Sequence, residues 1–234
     1  MDDDFDLSFD FKTDFSSFDF EIPSGTDEPV EIPKLAYEPV LYENAEAFAD
    51  AIDLNKDYMA LVAGTFVFGD FLEALLDRKE LAPDRMFITT LGMSQDNVDS
   101  LVNLVDYLEC QKLNLIISSY FAGVERHHLI PYMEQEFKNR PINIAVLQSH
   151  CKMSIIRSAK ADIIIIGSAN LSSCNNVEQL IIAHDPTMIN YMQERLEDIM
   201  DRFTVYDGLE APKFNWRNNK NNTGLKAFKA IKGE

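Results

Sequence analysis

Cysteine is scarce in this sequence, as are basic residues, tryptophan and long apolar runs. The 234 residues include three cysteines, which are odd in number, widely spaced and without Cys-x-x-Cys or Cys/His metal spacing. We therefore expect a reducing, cytoplasmic environment, with neither a disulfide framework nor a structural zinc.

The apolar runs are too short for a membrane segment. The longest, "ADIIIIG" and "YMALVAGTFVFG", fall well below the roughly 18 residues that a spanning helix needs. The N-terminal stretch is acidic and has no apolar core of the kind found in a secretory leader. We expect neither a membrane span nor a secretory signal.

The shortage of basic residues is uneven along the chain. There are 39 acidic and 21 basic residues, giving a net charge of −18. Residues 1–46 hold 14 acidic side chains and two lysines, whereas residues 211–234 hold six basic side chains and one acidic. Because phosphate neutralisation supplies most non-specific affinity for nucleic acid, such contacts would need a local basic cluster or this C-terminal tail.

Composition divides the chain into three parts. Residues 1–39 form an acidic arm rich in Asp and Phe, and residues 208–234 form an Asn-rich, basic tail; both compositions predict disorder. Residues 40–207 have the texture of a folded domain. The arm is either a solubilising segment or a docking segment for a protein partner, and both roles stay open. The docking role is supported by six phenylalanines that are costly to leave in water: Phe5, Phe9, Phe11, Phe15, Phe18 and Phe20.

Short apolar runs alternate with amphipathic segments between residues 40 and 207. Strands are predicted at "YMALVAGTF", "RMFITTLG", "LNLIISSYF" and "PINIAVLQSH", each preceded or followed by a helical pattern. A hairpin, "CKMSIIR" with "DIIIIGSAN", then precedes the strand "VEQLIIAH" and a helix with Pro186 in its first turn. This order predicts an α/β/α sandwich around a mostly parallel sheet.

Polar residues gather at the ends of the hairpin. His150 and Lys152, two apart at a predicted strand, project from one face, and Ser168 and Asn170 have the same spacing after the return strand. Glu178 follows and could orient an imidazole. An imidazole beside a cation and several donors suits attack on a phosphoryl group. No carboxylate cluster with metal spacing accompanies these residues, so we expect chemistry without a metal or cofactor.

The segment resembles the phospholipase D superfamily, whose motif is H-x-K, then Asp, then G-S-x-N, with a Glu further on. The matching stretches are "HCK", "GSAN" from Gly167, and "SSCNNVEQ" ending at Glu178 and Gln179. The resemblance implies a phospholipase D-like fold and a phosphohistidine formed on His150. It also implies that Lys152 and Asn170 hold phosphoryl oxygens, that Ser168 supports them and that Glu178 orients a histidine.

The family needs two such motifs, and this chain has one. No other histidine is followed by x-Lys, so the resemblance implies a homodimer that places two copies of His150 together. It resembles the small dimeric nucleases, which implies a metal-independent phosphodiesterase. Nucleic acid is favoured over lipid as its substrate because no apolar surface helix is evident.

One position departs from the family pattern. Arg157 stands where the motif has Asp, and the hairpin is three residues longer; Asp162 is the candidate replacement. An alternative interpretation is therefore an inactive binding module of the same fold, whose acidic arm recruits a protein partner. A third is autoinhibition, in which the arm covers the basic pocket of the dimer.

Overall fold

A computed structural model describes residues 39–42, 45–62, 67–172 and 177–209 of the chain. The predicted arm and tail lie almost entirely outside these residues, so their disorder stays a prediction. Within the described ranges, no helix combines the length and the apolar character needed to cross a membrane.

The described residues form nine strands and six helices, which alternate as far as β4. The strands are β1 (Pro39–Tyr42), β2 (Tyr58–Val62), β3 (Pro83–Thr90), β4 (Leu113–Ser118), β5 (Ile142–Leu147), β6 (Met153–Ser158), β7 (Asp162–Gly167), β8 (Glu178–Ala183) and β9 (Thr204–Asp207). The helices are α1 (Ala45–Ala51), α2 (Phe68–Arg78), α3 (Gln95–Asp106), α4 (Ser119–Val124), α5 (Leu129–Glu136) and α6 (Pro186–Phe203).

The nine described strands form one sheet in the order β1-β2-β8-β7-β6-β3-β4-β5-β9. Three of the neighbouring pairs are parallel, namely β1 with β2, β3 with β4 and β4 with β5, and the other five are antiparallel. The prediction of a mostly parallel sheet is therefore wrong. The β6–β7 hairpin and β8 occupy the middle of the sheet and run against their neighbours, and β9 returns along one edge.

The predicted α/β/α layers are present in the described domain. Side chains of the first five helices pack in one core with the alternate residues of the sheet: Phe48, Phe71, Leu101, Phe121 and Met133 represent α1 to α5 in turn. On the opposite face, α6 packs Ile189 and Phe203 against residues such as Ile155 and Ile164. Each strand of the β6–β7 hairpin alternates between the two cores, which makes the hairpin the rigid centre of the domain.

Local sequence explains how α6 and α4 begin. The side chain of Asp185 accepts a hydrogen bond from the Met188 amide at 2.7 Å, and Pro186 occupies the first helical turn. The predicted strand "LNLIISSYF" instead ends at Ser118, whose hydroxyl accepts a hydrogen bond from the Tyr120 amide at 3.1 Å. That cap starts α4, so the apolar run that predicted one long strand is divided between a strand and a helix.

Candidate active site

The motif lies where the ends of three central strands, β6, β7 and β8, come together. This side of the sheet, which is formed by strand ends and not by an outer strand, is called the His150 edge. His150 and Lys152 lie directly before β6, Gly167 ends β7, and Glu178 begins β8. Because β6, β7 and β8 are antiparallel neighbours, the start of β6, the end of β7 and the start of β8 meet at this edge. The sequence placed His150 and Lys152 at a strand, but in the structure they lie between two strands, because β5 ends at Leu147 and β6 begins at Met153.

His150 and Lys152 are nevertheless in contact. The Nζ atom of Lys152 lies 3.4 Å from Nδ1 of His150 and donates to the His150 carbonyl at 3.3 Å. The Lys152 carbonyl in turn accepts a hydrogen bond from the Gly167 amide at 3.2 Å, which ties the start of β6 to the end of β7. His150 is exposed, so its imidazole can meet a ligand or a second protein chain.

Ser168 connects the end of β7 to Glu178. Its hydroxyl donates a hydrogen bond to the Glu178 carboxylate and accepts one from the Gln179 amide at 3.1 Å. The Ser168 amide donates to the Gln179 carbonyl at 3.0 Å. The sequence assigned Ser168 a supporting role beside Lys152 and Asn170, and in this structure its contacts hold Glu178 and β8.

Gly167 is required by the packing of β8. A Cβ atom at this position would lie 2.4 Å from the Gln179 carbonyl oxygen and 2.5 Å from Cδ2 of Leu180. A real side chain does not tolerate such distances, so any other residue would push β8 away from β7. The glycine of the motif therefore keeps Ser168 and Glu178 within hydrogen-bond reach.

Asn170 is held by the end of β3, which the sequence analysis did not assign to the site. Its Oδ1 atom accepts a hydrogen bond from the Leu91 amide at 3.3 Å. The Thr90 hydroxyl accepts from the Leu171 amide at 3.2 Å and donates to the Gly92 carbonyl at 2.6 Å. Nothing in a single sequence marks Thr90, since the link joins residues 81 positions apart.

Asp162 lies at the other end of the hairpin. It begins β7, faces Arg157 across the β6–β7 pair, and accepts a hydrogen bond from the Arg157 guanidinium at 2.7 Å. The same guanidinium donates to Oδ1 of Asn190 on α6 at 2.7 Å. Arg157 and Asp162 therefore fasten the hairpin turn to α6 and have no contact with the His150 edge of β7.

The other described histidines have different surroundings. His127 accepts a hydrogen bond from Arg126, and both it and His128 lie in the turn between α4 and α5. His184 follows β8 at the opposite edge of the sheet and contacts Asp57 through its amide and through Nδ1, at 2.9 and 3.3 Å. In the described part of the chain, no three His, Cys, Asp or Glu side chains cluster as a metal site.

The two described cysteines are unlike each other. Cys151, between His150 and Lys152, is exposed, whereas Cys110 is buried. Burial raises the pKa of the Cys110 thiol to about 12. Both are free thiols in the structure, and Cys174 lies outside the described residues.

Comparisons with known proteins find similarity of fold only. No family model matches the sequence, and no curated protein resembles it at a significant level. Solved structures similar to this one include polyphosphate kinase from Porphyromonas gingivalis, with 14% identity over 64% of this chain and a TM-score of 0.47. NucT from Helicobacter pylori has 17% identity over 64% of this chain and a TM-score of 0.46, and phosphatidylserine synthase from Haemophilus influenzae has 12% identity over 76% and a TM-score of 0.41.

The similarity covers 26% of the kinase, 47% of the synthase and 100% of the NucT chain. At these TM-scores and identities, the activity proposed below rests on the residues of this chain.

Proposed function

We propose that the protein is a phosphodiesterase of the phospholipase D-like type that acts on nucleic acid as a homodimer. The observation that supports the proposal is that five residues with the required chemistry lie at or next to the same ends of β6, β7 and β8, with His150 in contact with Lys152 and Ser168 with Glu178: His150, Lys152, Ser168, Asn170 and Glu178. Together they supply a nucleophile, a cation, two further donors and a carboxylate to orient an imidazole.

In the proposed reaction, Nε2 of one His150 attacks phosphorus and the P–O bond to the leaving alkoxide breaks. A P–N bond forms, giving a phosphohistidine, while a second imidazole gives its proton to the alkoxide. Water then attacks phosphorus, the second imidazole takes the water's proton, and the P–N bond breaks to restore the first. Lys152 and the NH₂ group of Asn170 stabilise the phosphoryl oxygens, which need no metal or cofactor for this role.

The contact between Lys152 and His150 bears on how two imidazoles divide the reaction. An ammonium can only donate, so at 3.4 Å it favours Nδ1 of His150 as the acceptor. The copy that protonates the leaving group needs protons on both ring nitrogens, as an imidazolium, and the attacking copy needs Nδ1–H facing a carboxylate such as Glu178. In both copies Lys152 therefore moves from Nδ1 to a phosphoryl oxygen when the phosphate binds.

The decisive experiment uses bis(p-nitrophenyl) phosphate and a single-stranded oligonucleotide as substrates, with excess chelator present. We expect His150→Ala to lower kcat by at least about a thousandfold for both substrates, because the nucleophile and the acid are removed together. Cys151→Ala, at the adjacent exposed position, is the matched control and should cleave both at the wild-type rate.

Two results would contradict the proposal. Equal turnover by His150→Ala would show that the imidazole takes no part. Absence of turnover by the wild-type protein would leave the inactive binding module as the better interpretation. Trapping of an acid-labile phosphorylated protein in the wild type and its absence in His150→Ala would identify the intermediate.

A further inference from the structure

A cleft of about 550 Å³ opens beside the Asn170 turn, on the side of the sheet covered by α3 and α5. Its walls are the loop between β3 and α3, the turn between α4 and α5, and the first turn of α5. Its volume is in the range of small-molecule sites. Seven residues line it: Met93, Ser94, Gln95, Glu125, His128, Leu129 and Tyr132.

The cleft is joined to the candidate active site by the backbone. Leu171, the residue after Asn170, forms a parallel bridge with Met93, and its carbonyl accepts a hydrogen bond from the Ser94 amide at 2.8 Å. The wall of the cleft therefore begins next to the asparagine proposed to hold a phosphoryl oxygen.

Hydrogen bonds hold the two walls of the cleft in place. The Tyr132 hydroxyl on α5 donates to Asp99 on α3 at 2.5 Å, which fixes the distance between the two helices. The side-chain Nδ2 of Asn97 donates to Oγ of Ser94 at 2.9 Å. In the α4–α5 turn, the amide of His128 donates to the carbonyl of Glu125 at 3.0 Å. The cleft is thus formed before any ligand arrives.

The lining is unsuited to phosphate. None of the seven residues is lysine or arginine, and Glu125 contributes a carboxylate, with Asp99 behind Tyr132. A second phosphate would be repelled here, since like charges at short range are costly in a partly enclosed site. The cleft therefore takes a part of the substrate other than its phosphates.

The lining fits a flat heteroaromatic group instead. The ring of Tyr132 is partly exposed and offers an aromatic surface on which a base stacks, and the largely buried Met93 and Leu129 lie beside it in the lining. The side chains of Ser94, Gln95 and His128 offer both donors and acceptors to the edge of such a ring. A nucleobase has this combination of apolar faces and a hydrogen-bonding edge.

We propose that this cleft is a nucleoside-binding subsite, which takes the base of a nucleotide next to the scissile phosphate. The proposal rests on the proposed function, because that function places the scissile phosphate at the His150 edge. It assigns selectivity for nucleic acid over other phosphodiesters to Gln95 and His128, whose side chains are exposed at the mouth of the cleft.

The test of binding uses uncharged nucleosides as probes, because they lack the phosphate that would engage His150. Thymidine and adenosine are titrated into the full-length protein and followed by ligand-observed NMR. We expect binding to the wild type and to His150→Ala, and about tenfold weaker binding to the double variant Gln95→Ala/His128→Ala, which loses two hydrogen-bonding side chains.

The matched control is Gln135→Ala/His127→Ala, which removes the same two side-chain types from exposed positions on α5 and in the α4–α5 turn, outside the lining. It should bind nucleosides as the wild type does. In a parallel assay, the ratio of kcat/KM for the p-nitrophenyl ester of thymidine 5′-phosphate to that for bis(p-nitrophenyl) phosphate should fall about tenfold in the cleft variant only.

The outcomes separate the two proposals. Nucleoside binding by a protein that cleaves no phosphodiester would sustain the subsite and overturn the proposed function. Cleavage without nucleoside binding by the wild type, or equal binding by the cleft and control variants, would overturn the subsite. Binding of choline in place of nucleosides would overturn it too and point to a lipid headgroup.

Discussion

Gly167 shows at the scale of one residue how packing shapes the candidate site. Its hydrogen atom faces the Gln179 carbonyl, where a Cβ would lie 2.4 Å from the oxygen. A methyl group there has to displace β8, and with it Glu178, from the end of β7. The glycine is therefore a requirement of the sheet before any ligand is considered.

We expect Gly167→Ala to lower the free energy of unfolding by about 2 kcal/mol or more, as overpacking against backbone does. Turnover of bis(p-nitrophenyl) phosphate should fall as well, because Ser168 and Glu178 move apart. Urea denaturation and the phosphodiesterase assay measure the two effects.

Gly123 provides the control for this substitution. It lies in α4 and a Cβ there would have no atom within 4 Å, so Gly123→Ala should be neutral or stabilise the protein by up to about 1 kcal/mol. Equal stability of the two variants would show that β8 adjusts to a side chain at position 167 without cost.

Single residues of the site could be predicted where a short motif carries them. His150, Lys152, Ser168, Asn170 and Glu178 are close in sequence, and two hairpin connections bring them to one edge. Residues that hold the site from a distance could not be predicted. Thr90 and Leu91 contact the Asn170 turn from a strand about eighty positions earlier, and only the strand order places them there.

At the scale of elements, β9 closes one edge of the sheet with a buried tyrosine. Tyr206 is 1% exposed, and its hydroxyl donates to the Glu134 carbonyl on α5 at 3.1 Å. Burial raises the pKa of Tyr206 above its ordinary value. The folded protein thus holds the phenolic proton more tightly than the unfolded chain does.

A pH-dependent stability follows from that shift. The contribution of Tyr206 to the free energy of unfolding is fully present below the pKa of about 10 that a tyrosine has in the unfolded chain. It is lost as pH rises through the higher pKa of the folded protein. Tyr206→Phe should cost about 1 kcal/mol at pH near 7, from the lost hydrogen bond, and should lose stability less steeply than the wild type in alkali.

Tyr120, which is 74% exposed, supplies the comparison. The free energy of unfolding of Tyr120→Phe, measured by urea titration, should match that of the wild type both near pH 7 and in alkali. A Tyr206→Phe protein whose stability fell in parallel with the wild type above pH 10 would show that Tyr206 does not set the alkaline limit.

Elements could be predicted where periodicity and caps agree. The helix at "PTMINYMQERLEDIMDRF" has its cap, its proline and a long amphipathic pattern, and α6 has the same bounds. The short edge strands β1 and β9 have four residues each and no such signal. The prediction of a mostly parallel sheet was wrong because alternating helices and strands suggest parallel pairing. The later strands β6, β7 and β8 instead lie between β2 and β3 and pair antiparallel with their neighbours.

For the whole molecule, apolar side chains exposed beside the candidate site favour the proposed homodimer. Val177, directly before Glu178, is 64% exposed, and Leu61, paired with Gln179 across β2 and β8, is 46% exposed. A second copy that faces the His150 edge would cover these side chains. It would also bring the second imidazole that the proposed reaction needs.

We expect Val177→Asp to shift the protein from dimer to monomer and to lower turnover together with dimer content, because a carboxylate would be buried at the interface. Sedimentation velocity and the phosphodiesterase assay at several concentrations measure both. Val124→Asp, at a 55% exposed position on α4, should change neither. A monomeric wild type with full activity would contradict the dimer.

The central position of the β6–β7 hairpin has a consequence for the order of folding. Residues before 150 form two separate pieces of sheet. One piece consists of β1 and β2, and β2 later pairs with β8; the other consists of β3, β4 and β5, and β3 later pairs with β6. On the ribosome the edges at β2 and β3 stay open until the hairpin and β8 emerge, and such long-range pairing is slow. Gly167 and Glu178 belong to the strands that complete the sheet, and His150 lies just before one of them, so a chain that has not finished folding has not assembled the candidate site.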